Sequence, residues 1–521
     1  MSERDQRRAV VVTAAYAVMV ACWLVVALAV LPPAVVAANR LEGTTSPLRW
    51  LIHRGPAPIP EELALERWRE FAAAVAMATG LHLGLTLAAL RWRRIPAAAA
   101  FVVLGAAFLA ATVVFSVIQD YYLHLQIWRE VRLGNDPWFL VHGVFGTYPL
   151  NAYGPLFCAI APLAWVNPLL PKLLFAAAYL GFALWLVRKL DAQGVSAGWI
   201  VAGMVWLFNP YVWVEIAYYG HFDIVVGLCA VAAVEARVRR RDATCATALA
   251  AGVLLKYLPM VLLPFLALDR GRIRWRLVGW TLGLTTLGLG LGVLIWGPSA
   301  LRPIGFAASR YSTYLSVYRY LKGPYSPLRP PGIIGNPDDL ANVILLLAGL
   351  RAWSWGRLRQ IDARSLSALA VLTTLLLYKV GFPQYQIVWF VVATSWVVHD
   401  FRAIPHLRTL IAAMLLYFGW IAAFNLIESS RGIGFLRMED WVGLPTFLLG
   451  VALVVCTVRS SRSEDRAGEG GIGLAERPTT ATAGSTAQEV RSGRGLVEEA
   501  AQPEAQTEAS RQSGGGCRHQ D

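Results

Sequence analysis

Long apolar runs alternate with short polar segments along most of the chain. Many of the runs lack charge over roughly 20 residues, which is the length that a helix needs to cross the hydrocarbon core of a bilayer. The pattern predicts helices over residues 9–38, 71–90, 98–117, 173–190, 197–208, 224–236, 277–295, 340–350, 366–377, 387–398, 409–426 and 442–458, with a helical hairpin over 243–268. We therefore expect an all-α polytopic membrane protein with about 12–14 transmembrane helices.

Clusters of basic residues indicate how the predicted helices are oriented. They begin with the N-terminal MSERDQRR and recur at residues 91–94, 188–189, 237–242, 270–276, 351–359 and 399–408. Lys and Arg beside membrane spans concentrate on the cytoplasmic side, so these segments and both termini are expected there. Two clusters flank residues 243–268, so this segment is expected to turn back at Leu258 and Pro259. The first apolar run is too long for a cleaved signal peptide and is expected to remain as a helix.

With this orientation, four polar and aromatic-rich segments share the outer face. They are residues 118–157, 209–223, 296–339 and 379–386. The region 140–170 is apolar but interrupted by prolines, which predicts short helices at the outer surface and not a span. The predicted cytoplasmic segments are short and mainly basic. Any chemistry is therefore expected on the outer side of the membrane.

Composition agrees with a membrane protein. The chain is 56% hydrophobic and 15% charged, whereas a soluble protein carries about 25% charged residues. Its net charge of +14 lies mainly in the basic clusters, so no nucleic-acid partner is expected. Six cysteines without a CxxC pair predict neither a disulfide framework nor a metal site. A domain of N-terminal helices and outer loop (1–97) and a transmembrane domain (98–458) precede a Gly-, Ser- and Glu-rich tail (459–521), which is predicted to be disordered and cytoplasmic.

Ionisable residues in or beside the apolar runs are the first candidates for chemistry, because a charge in a membrane is costly. Asp120 follows the run 98–117, either as a functional acid or as a solvated boundary residue. Asp223 begins a predicted helix, where it could simply stabilise the helix N-terminus. Lys256 needs an anion such as a phosphate, unless it snorkels to the interface. His221 could bond a hydroxyl or phosphate, or lie solvated among lipid headgroups.

The motifs around Asp120 resemble those of the GT-C glycosyltransferases, membrane enzymes that use polyprenyl-phosphate sugar donors. Asp120-Tyr121, residues 134–138 (GNDPW) and Tyr153-Gly154-Pro155-Leu156 are similar in order and spacing to motifs of the glycosylphosphatidylinositol mannosyltransferase I and related bacterial polyprenyl-phosphate-mannose-dependent enzymes. That family's first motif acid falls at Ile118. The resemblance therefore implies Asp120 as the sole candidate for the catalytic base.

Three further elements resemble GT-C motifs. They are Asn209-Pro210 followed by Gly220-His221-Phe222-Asp223, then Lys256-Tyr257-x-Pro259, then Lys379-Val380-x-x-Pro383-Gln384-Tyr385-x-x-Trp389. The resemblance covers about residues 98–400. It implies that substrate is bound by Trp138, Tyr153, His221, Asp223, Lys256, Lys379, Gln384 and Tyr385.

The resemblance also implies a function and a location. The expected fold is a GT-C-like bundle in the cell membrane, with juxtamembrane helices on the outer face. The expected reaction is an inverting transfer of a hexose, mannose foremost, to a lipid-linked, glycan or protein acceptor. No cofactor besides the donor is implied, and a divalent metal is not required. The outer aromatic residues fit sugar or isoprenoid contacts, or an ordinary interfacial belt. The alternatives are a transporter or flippase of lipid-linked sugars and, third, a structural scaffold.

Overall fold

The computed structural model describes residues 97–114, 119–143, 146–269, 271–323, 326, 337–429 and 442–461. The helices predicted over 9–38 and 71–90, the outer loop between them and residues 462–521 of the predicted tail lie outside the described residues.

Helices form nearly all of the regular structure. In the first half these are α1 (Ala97–Val114), α2 (Gln119–Leu133), α3 (Pro155–Cys158), α4 (Ala161–Val166), α5 (Leu170–Ala192), α6 (Ala197–Leu207), α7 (Pro210–Val212), a π-helix (Trp213–Tyr218), α8 (Asp223–Val238) and α9 (Asp242–Leu255). In the second half they are α10 (Leu263–Leu266), α11 (Trp275–Trp296), α12 (Arg302–Ser309), α13 (Val317–Lys322), α14 (Pro337–Arg359), α15 (Ala363–Leu377), α16 (Gln386–His399), α17 (Leu407–Ser429) and α18 (Gly443–Ser460), with 3₁₀ turns at Leu258–Leu262, Pro298–Leu301 and Pro383–Tyr385.

Within the described residues, strands are confined to two small antiparallel hairpins. The first pairs β1 (Leu140–Gly143) with β2 (Gly146–Pro149), and Leu140 lies opposite Pro149. The second pairs β3 (Leu268–Asp269) with β4 (Arg272–Ile273). The described part of the chain is thus almost entirely helical, as predicted. The expectation of short helices over 140–170 is wrong for residues 140–143 and 146–149, which form the first hairpin.

Four helical segments in the described chain are long and apolar enough to cross a membrane. They are Leu170–Ala192, Ala197–Tyr218, Trp275–Trp296 and Gly443–Ser460. Only 17% of the most apolar stretch of α11 is buried inside the protein, and Leu294 is 82% exposed. An apolar surface of this size is costly in water and favourable in lipid. The structure thus agrees with a membrane protein.

The segments predicted to lie in the cytoplasm meet at one end of the bundle. Arg274 at the start of α11 forms an ion pair with Asp242 at the start of α9, with 2.8 Å between Nη2 and Oδ2. Arg364 pairs with Glu235, and Arg402 donates to the backbone carbonyl of Gly194. These contacts bring basic clusters that are distant in sequence to the same end.

Helix α8 lies at the centre of the fold. It is rich in Ala and Val, and most of its side chains are buried. The neighbouring α16 is buried from Gln386 to Val398. The two helices approach closely at Gly227, where an added Cβ would lie 3.2 Å from the Cβ of Val391. Small residues permit such close packing between membrane helices.

Two predicted breaks have different outcomes. Helix α9 ends at Leu255 and Lys256 is extended before a 3₁₀ turn over Leu258–Leu262, so the predicted break of the hairpin is confirmed. The helix predicted over 197–208 does end where expected, since α6 ends at Leu207, but helical structure resumes at once. Asn209 caps a new helical turn by accepting a hydrogen bond from the backbone N–H of Val212. The following proline occupies a first-turn position that it tolerates well, so a new helical turn starts here.

Candidate functional site

The segments predicted to share the outer face lie together at the other end of the bundle. The Tyr211 hydroxyl donates to the carbonyl of Pro383, across a distance of 2.9 Å. The N–H of Thr313 donates to the carbonyl of Lys379. Ser299 donates to the carboxylate of Asp136. Contacts between all four segments define the candidate site.

Asp120, the predicted base, lies in the first turn of α2. Its side chain lies outside the described residues. Its neighbour Tyr121 is fully buried and donates its hydroxyl to the carbonyl of Pro168. Burial raises the pKa of the Tyr121 phenol well above its usual range, so this phenol stays a neutral donor. The turn that carries Asp120 is therefore held firmly in place.

Tyr121 also contacts the turn that precedes α8. Gly220 in that turn has a φ of +66°, and a Cβ added there would come 2.9 Å from Cδ2 of Tyr121. A positive φ and this close approach both require glycine. The turn of Asp120 and the turn of His221 are consequently packed against each other.

Lys256 and Asp223 form a buried ion pair. The ammonium of Lys256 donates to Oδ1 of Asp223, and the two residues are 7% and 1% exposed. Asp223 lies in the first turn of α8, directly after Phe222 at the N-cap position. The structure answers both questions about Lys256: its ammonium does not snorkel, and its anion is Asp223.

Aromatic rings surround the ammonium of Lys256. It lies 3.8 Å from the centroid of the Tyr385 ring. Tyr153 and Phe222 lie farther away, with their centroids at 5.7 Å. The ring of Tyr385 thus carries a cation–π contact, which gains strength where water is excluded.

His221 belongs to a second buried group. Its Nδ1 lies 2.6 Å from Oε2 of Glu215, and the other oxygen of Glu215 accepts a hydrogen bond from Asn425. Glu215 lies in the π-helix over Trp213–Tyr218. Single π turns within longer helices are frequent at functional sites. Here the π-helix places a carboxylate in the interior, where it fixes the imidazole.

Trp138 and Tyr153 are joined through the backbone. The indole N–H of Trp138 donates to the carbonyl of Tyr153 across 3.0 Å. Trp138 is fully buried and packs edge-on against Trp296. Tyr153 contacts the ring of Phe222 with 4.7 Å between centroids. Of these two predicted substrate-binding residues, Tyr153 lies beside Lys256, and Trp138 contacts the site through Tyr153.

Lys379 and Gln384 lie on the segment between α15 and α16. Lys379 is 5% exposed, and its carbonyl ties this segment to Thr313. Gln384 is partly buried within the 3₁₀ turn that also contains Tyr385. Both predicted residues therefore belong to the same short segment as Tyr385, whose ring contacts the ammonium of Lys256.

Three residues of the site were not among the predicted ones: Glu215, Lys172 and Asn425. Lys172 in α5 is fully buried, and its ammonium donates to the carbonyl of Tyr218 across 2.8 Å. Asn425 holds Glu215 from α17. Lys172 carried the same signal as Lys256, a lone lysine within an apolar stretch. Asn425 carried a weaker one, because an amide is less costly in an apolar run.

The described site combines acidic, basic and aromatic groups. Among the described residues, no group of three or more His, Cys, Asp or Glu side chains is arranged to hold a metal ion. What the arrangement offers is a fixed imidazole, an internally neutralised ion pair and several aromatic faces. These groups suit a polar ligand with apolar or ring-shaped parts.

Comparison with known proteins does not add a relative. No protein-family model matches the chain, and no curated protein matches its sequence.

Proposed function

We propose that the chain is an inverting membrane glycosyltransferase. It moves a hexose, mannose foremost, from a polyprenyl-phosphate donor to a lipid-linked, glycan or protein acceptor. The observation that supports this most is the buried cluster that separate segments build around Lys256, Asp223, His221 and Tyr385. Ionisable groups within an apolar bundle are expensive, and a scaffold would not need them.

The reaction that we assign begins at Asp120. Its carboxylate accepts the proton of an acceptor hydroxyl while that oxygen attacks the anomeric carbon of the sugar. The bond between the anomeric carbon and the phosphate oxygen breaks, and polyprenyl phosphate leaves with the bonding electrons. General base assistance of this kind contributes about 10²–10⁴-fold. The packing of Tyr121 on the turn before His221 supports this assignment, because it brings the two candidate residues' turns together.

The remaining predicted residues fit roles in binding. Glu215 orients the ring of His221, which we assign to the acceptor. Tyr385 and its neighbours Gln384 and Lys379 are assigned to the sugar and the donor. Tyr153 provides an aromatic face next to Lys256.

Asp223 and Trp138 support these roles. Asp223 neutralises Lys256 and holds it against Tyr385. Trp138 anchors Tyr153 through its carbonyl.

The proposed orientation in the membrane rests on the distribution of basic residues. The basic segments lie at the end opposite the cluster and carry the positive charge that marks a cytoplasmic surface. We therefore place the protein in the cell membrane as a multi-pass protein, with its site on the extracytoplasmic face and its termini in the cytoplasm. Membrane lipids and the polyprenyl-phosphate donor are its proposed partners.

One observation favours a flippase of lipid-linked sugars as the second candidate. The candidate span Ala197–Tyr218 is interrupted at Asn209 and continues as a π-helix. Discontinuous helices of this kind form substrate sites in many transporters. A flippase would move the donor without cleaving it, which separates the two functions.

The test is a transfer assay with purified protein and several polyprenyl-phosphate sugars. Asp120→Asn should abolish transfer while expression and thermal stability stay as in the wild type. Asp191→Asn is the matched control, because Asp191 is an exposed carboxylate at the last turn of α5. Full activity of Asp120→Asn would contradict the assignment of the base.

A further inference from the structure

Arg310 lies between two aromatic rings at the end of α12. Its guanidinium carbon is 4.9 Å from the ring centroids of both Phe306 and Phe382. The side chain is half-buried. Its Nη1 donates to the hydroxyl of Tyr385 across 3.1 Å. The guanidinium is therefore held in one place by contacts on its faces and at its edge.

Nearby cations are neutralised by carboxylates. Lys256 pairs with Asp223. Lys322 pairs with Asp338. No carboxylate within the described part of the chain pairs with Arg310. The positive charge of Arg310 is thus not balanced by any carboxylate of the described residues.

Tyr385 links Arg310 to Lys256. The face of its ring receives the ammonium of Lys256, and its hydroxyl oxygen accepts from Arg310. A tyrosine hydroxyl that accepts one hydrogen bond can still donate its own proton. A ligand oxygen placed beside Arg310 could therefore receive bonds from both the guanidinium and the phenol.

We infer that Arg310 and Tyr385 bind the phosphate of a polyprenyl phosphate. A guanidinium presents a planar fork that matches phosphate oxygens and is always charged. Exposed apolar side chains on the same segment, Leu301 and Ile304, offer contacts for an isoprenoid chain. This inference rests on the proposed function, and it assigns the donor phosphate to Arg310 in preference to the neutralised Lys256.

The experiment measures lipid binding, independently of sugar transfer. Purified protein in detergent is titrated with undecaprenyl phosphate, undecaprenol or phosphatidylglycerol, and binding is followed by native mass spectrometry. The wild type should bind undecaprenyl phosphate about tenfold or more tightly than the other two lipids. Arg310→Gln should lose this preference.

Arg357→Gln is the matched control. Arg357 also stacks on an aromatic ring, with 5.5 Å from its guanidinium carbon to the centroid of Trp353, and it donates to the backbone at Gly271. It lies near the β3–β4 hairpin, away from Tyr385. This variant should bind undecaprenyl phosphate as the wild type does.

Three results would overturn the inference. One is unchanged binding of undecaprenyl phosphate by folded Arg310→Gln. Another is equally tight binding of undecaprenol, which would show that the protein does not recognise the phosphate. The third is equally tight binding of phosphatidylglycerol, which would mean a contact with bulk lipid headgroups only.

A second variant guards against misfolding of the first. Tyr385→Phe keeps the ring beneath Lys256 and removes only the hydroxyl. It should weaken binding of undecaprenyl phosphate severalfold, and unchanged binding would count against the site. If binding depends on Arg310 but no sugar is transferred, the phosphate site stands and the proposed function fails. If Arg310→Gln transfers sugar as the wild type does, the proposed function stands and the phosphate site at Arg310 fails.

Discussion

Lys256 and Asp223 meet across 33 positions of sequence to form an ion pair in the interior. Each of these groups alone would be expensive in an apolar bundle, and together they are nearly neutral. The pair fixes the end of α9 against the start of α8. It also holds the ammonium against the ring of Tyr385.

Breaking this pair should destabilise the protein. Asp223→Asn leaves a buried ammonium without its anion, and Lys256→Gln leaves a buried carboxylate without its cation. Each change should cost roughly 3–5 kcal/mol. The double variant should cost clearly less than the sum of the two single variants. Thermal unfolding of purified protein provides the comparison, and strictly additive losses would show that the two groups do not interact.

Glu215→Gln should impair transfer through His221. Asn425 donates to one carboxylate oxygen of Glu215. An ionised carboxylate only accepts hydrogen bonds, so we assign Nδ1 of His221 as the donor to the other oxygen. A glutamine that keeps the bond from Asn425 would turn its own N–H₂ toward Nδ1 and reverse the tautomer of the imidazole. We expect turnover to fall about tenfold or more, with binding of undecaprenyl phosphate retained. Turnover equal to that of the wild type would rule out this role for Glu215.

Gly154→Ala should lower stability because the site has no room for a side chain. A Cβ at Gly154 would come 2.1 Å from the carbonyl oxygen of Leu254. The N–H of Gly154 also donates to the carbonyl of Leu255, just before Lys256. The expected loss is roughly 1–3 kcal/mol or more. Gly181→Ala is the control, since nothing lies within 4 Å of its added Cβ, and it should be neutral or slightly stabilising.

Single cysteines can test the proposed orientation. Tyr122 is 57% exposed beside the candidate site, and Leu358 is 80% exposed near the opposite end. In right-side-out membrane vesicles, Tyr122→Cys should react with an impermeant maleimide. Leu358→Cys should react only after permeabilisation, with the unmodified chain as the blank. The opposite pattern would place the site in the cytoplasm.

Local signals in the sequence predicted a helical membrane protein, with which the described chain agrees, whereas the count of 12–14 spans stays a prediction. Apolar runs and basic clusters can be recognised from neighbouring residues alone, and they assigned each polar segment to one of two ends of the bundle. The contact of Arg274 with Asp242 joins segments assigned to one end, and the contact of Tyr211 with Pro383 joins segments assigned to the other. Proline identified the break after Lys256. The helix beyond Asn209 was missed because an Asn-Pro pair can either end a helix or begin one.

The site itself was predicted only in part. His221, Lys256 and Tyr385 were found because each lies in a motif or interrupts an apolar run. The sequence did not identify the partner of Lys256. Asp223 lies at the start of a helix, and its favourable interaction with the helix N-terminus explains it equally well. The bond from Asn425 to Glu215 spans 210 positions. Only the packing of the helices brings such residues together, so no local pattern reveals it.

Cleavage of the donor at this site distinguishes a glycosyltransferase from a flippase most directly. Purified protein in detergent, where no bilayer exists to cross, is incubated with polyprenyl-phosphate mannose labelled in the sugar and with extracted acceptor lipids. We predict that labelled sugar appears on the acceptor while polyprenyl phosphate is released in equal amount, and that Asp120→Asn forms neither product. An intact donor in this assay, together with movement of the same lipid across proteoliposome membranes, would contradict the account and identify a flippase.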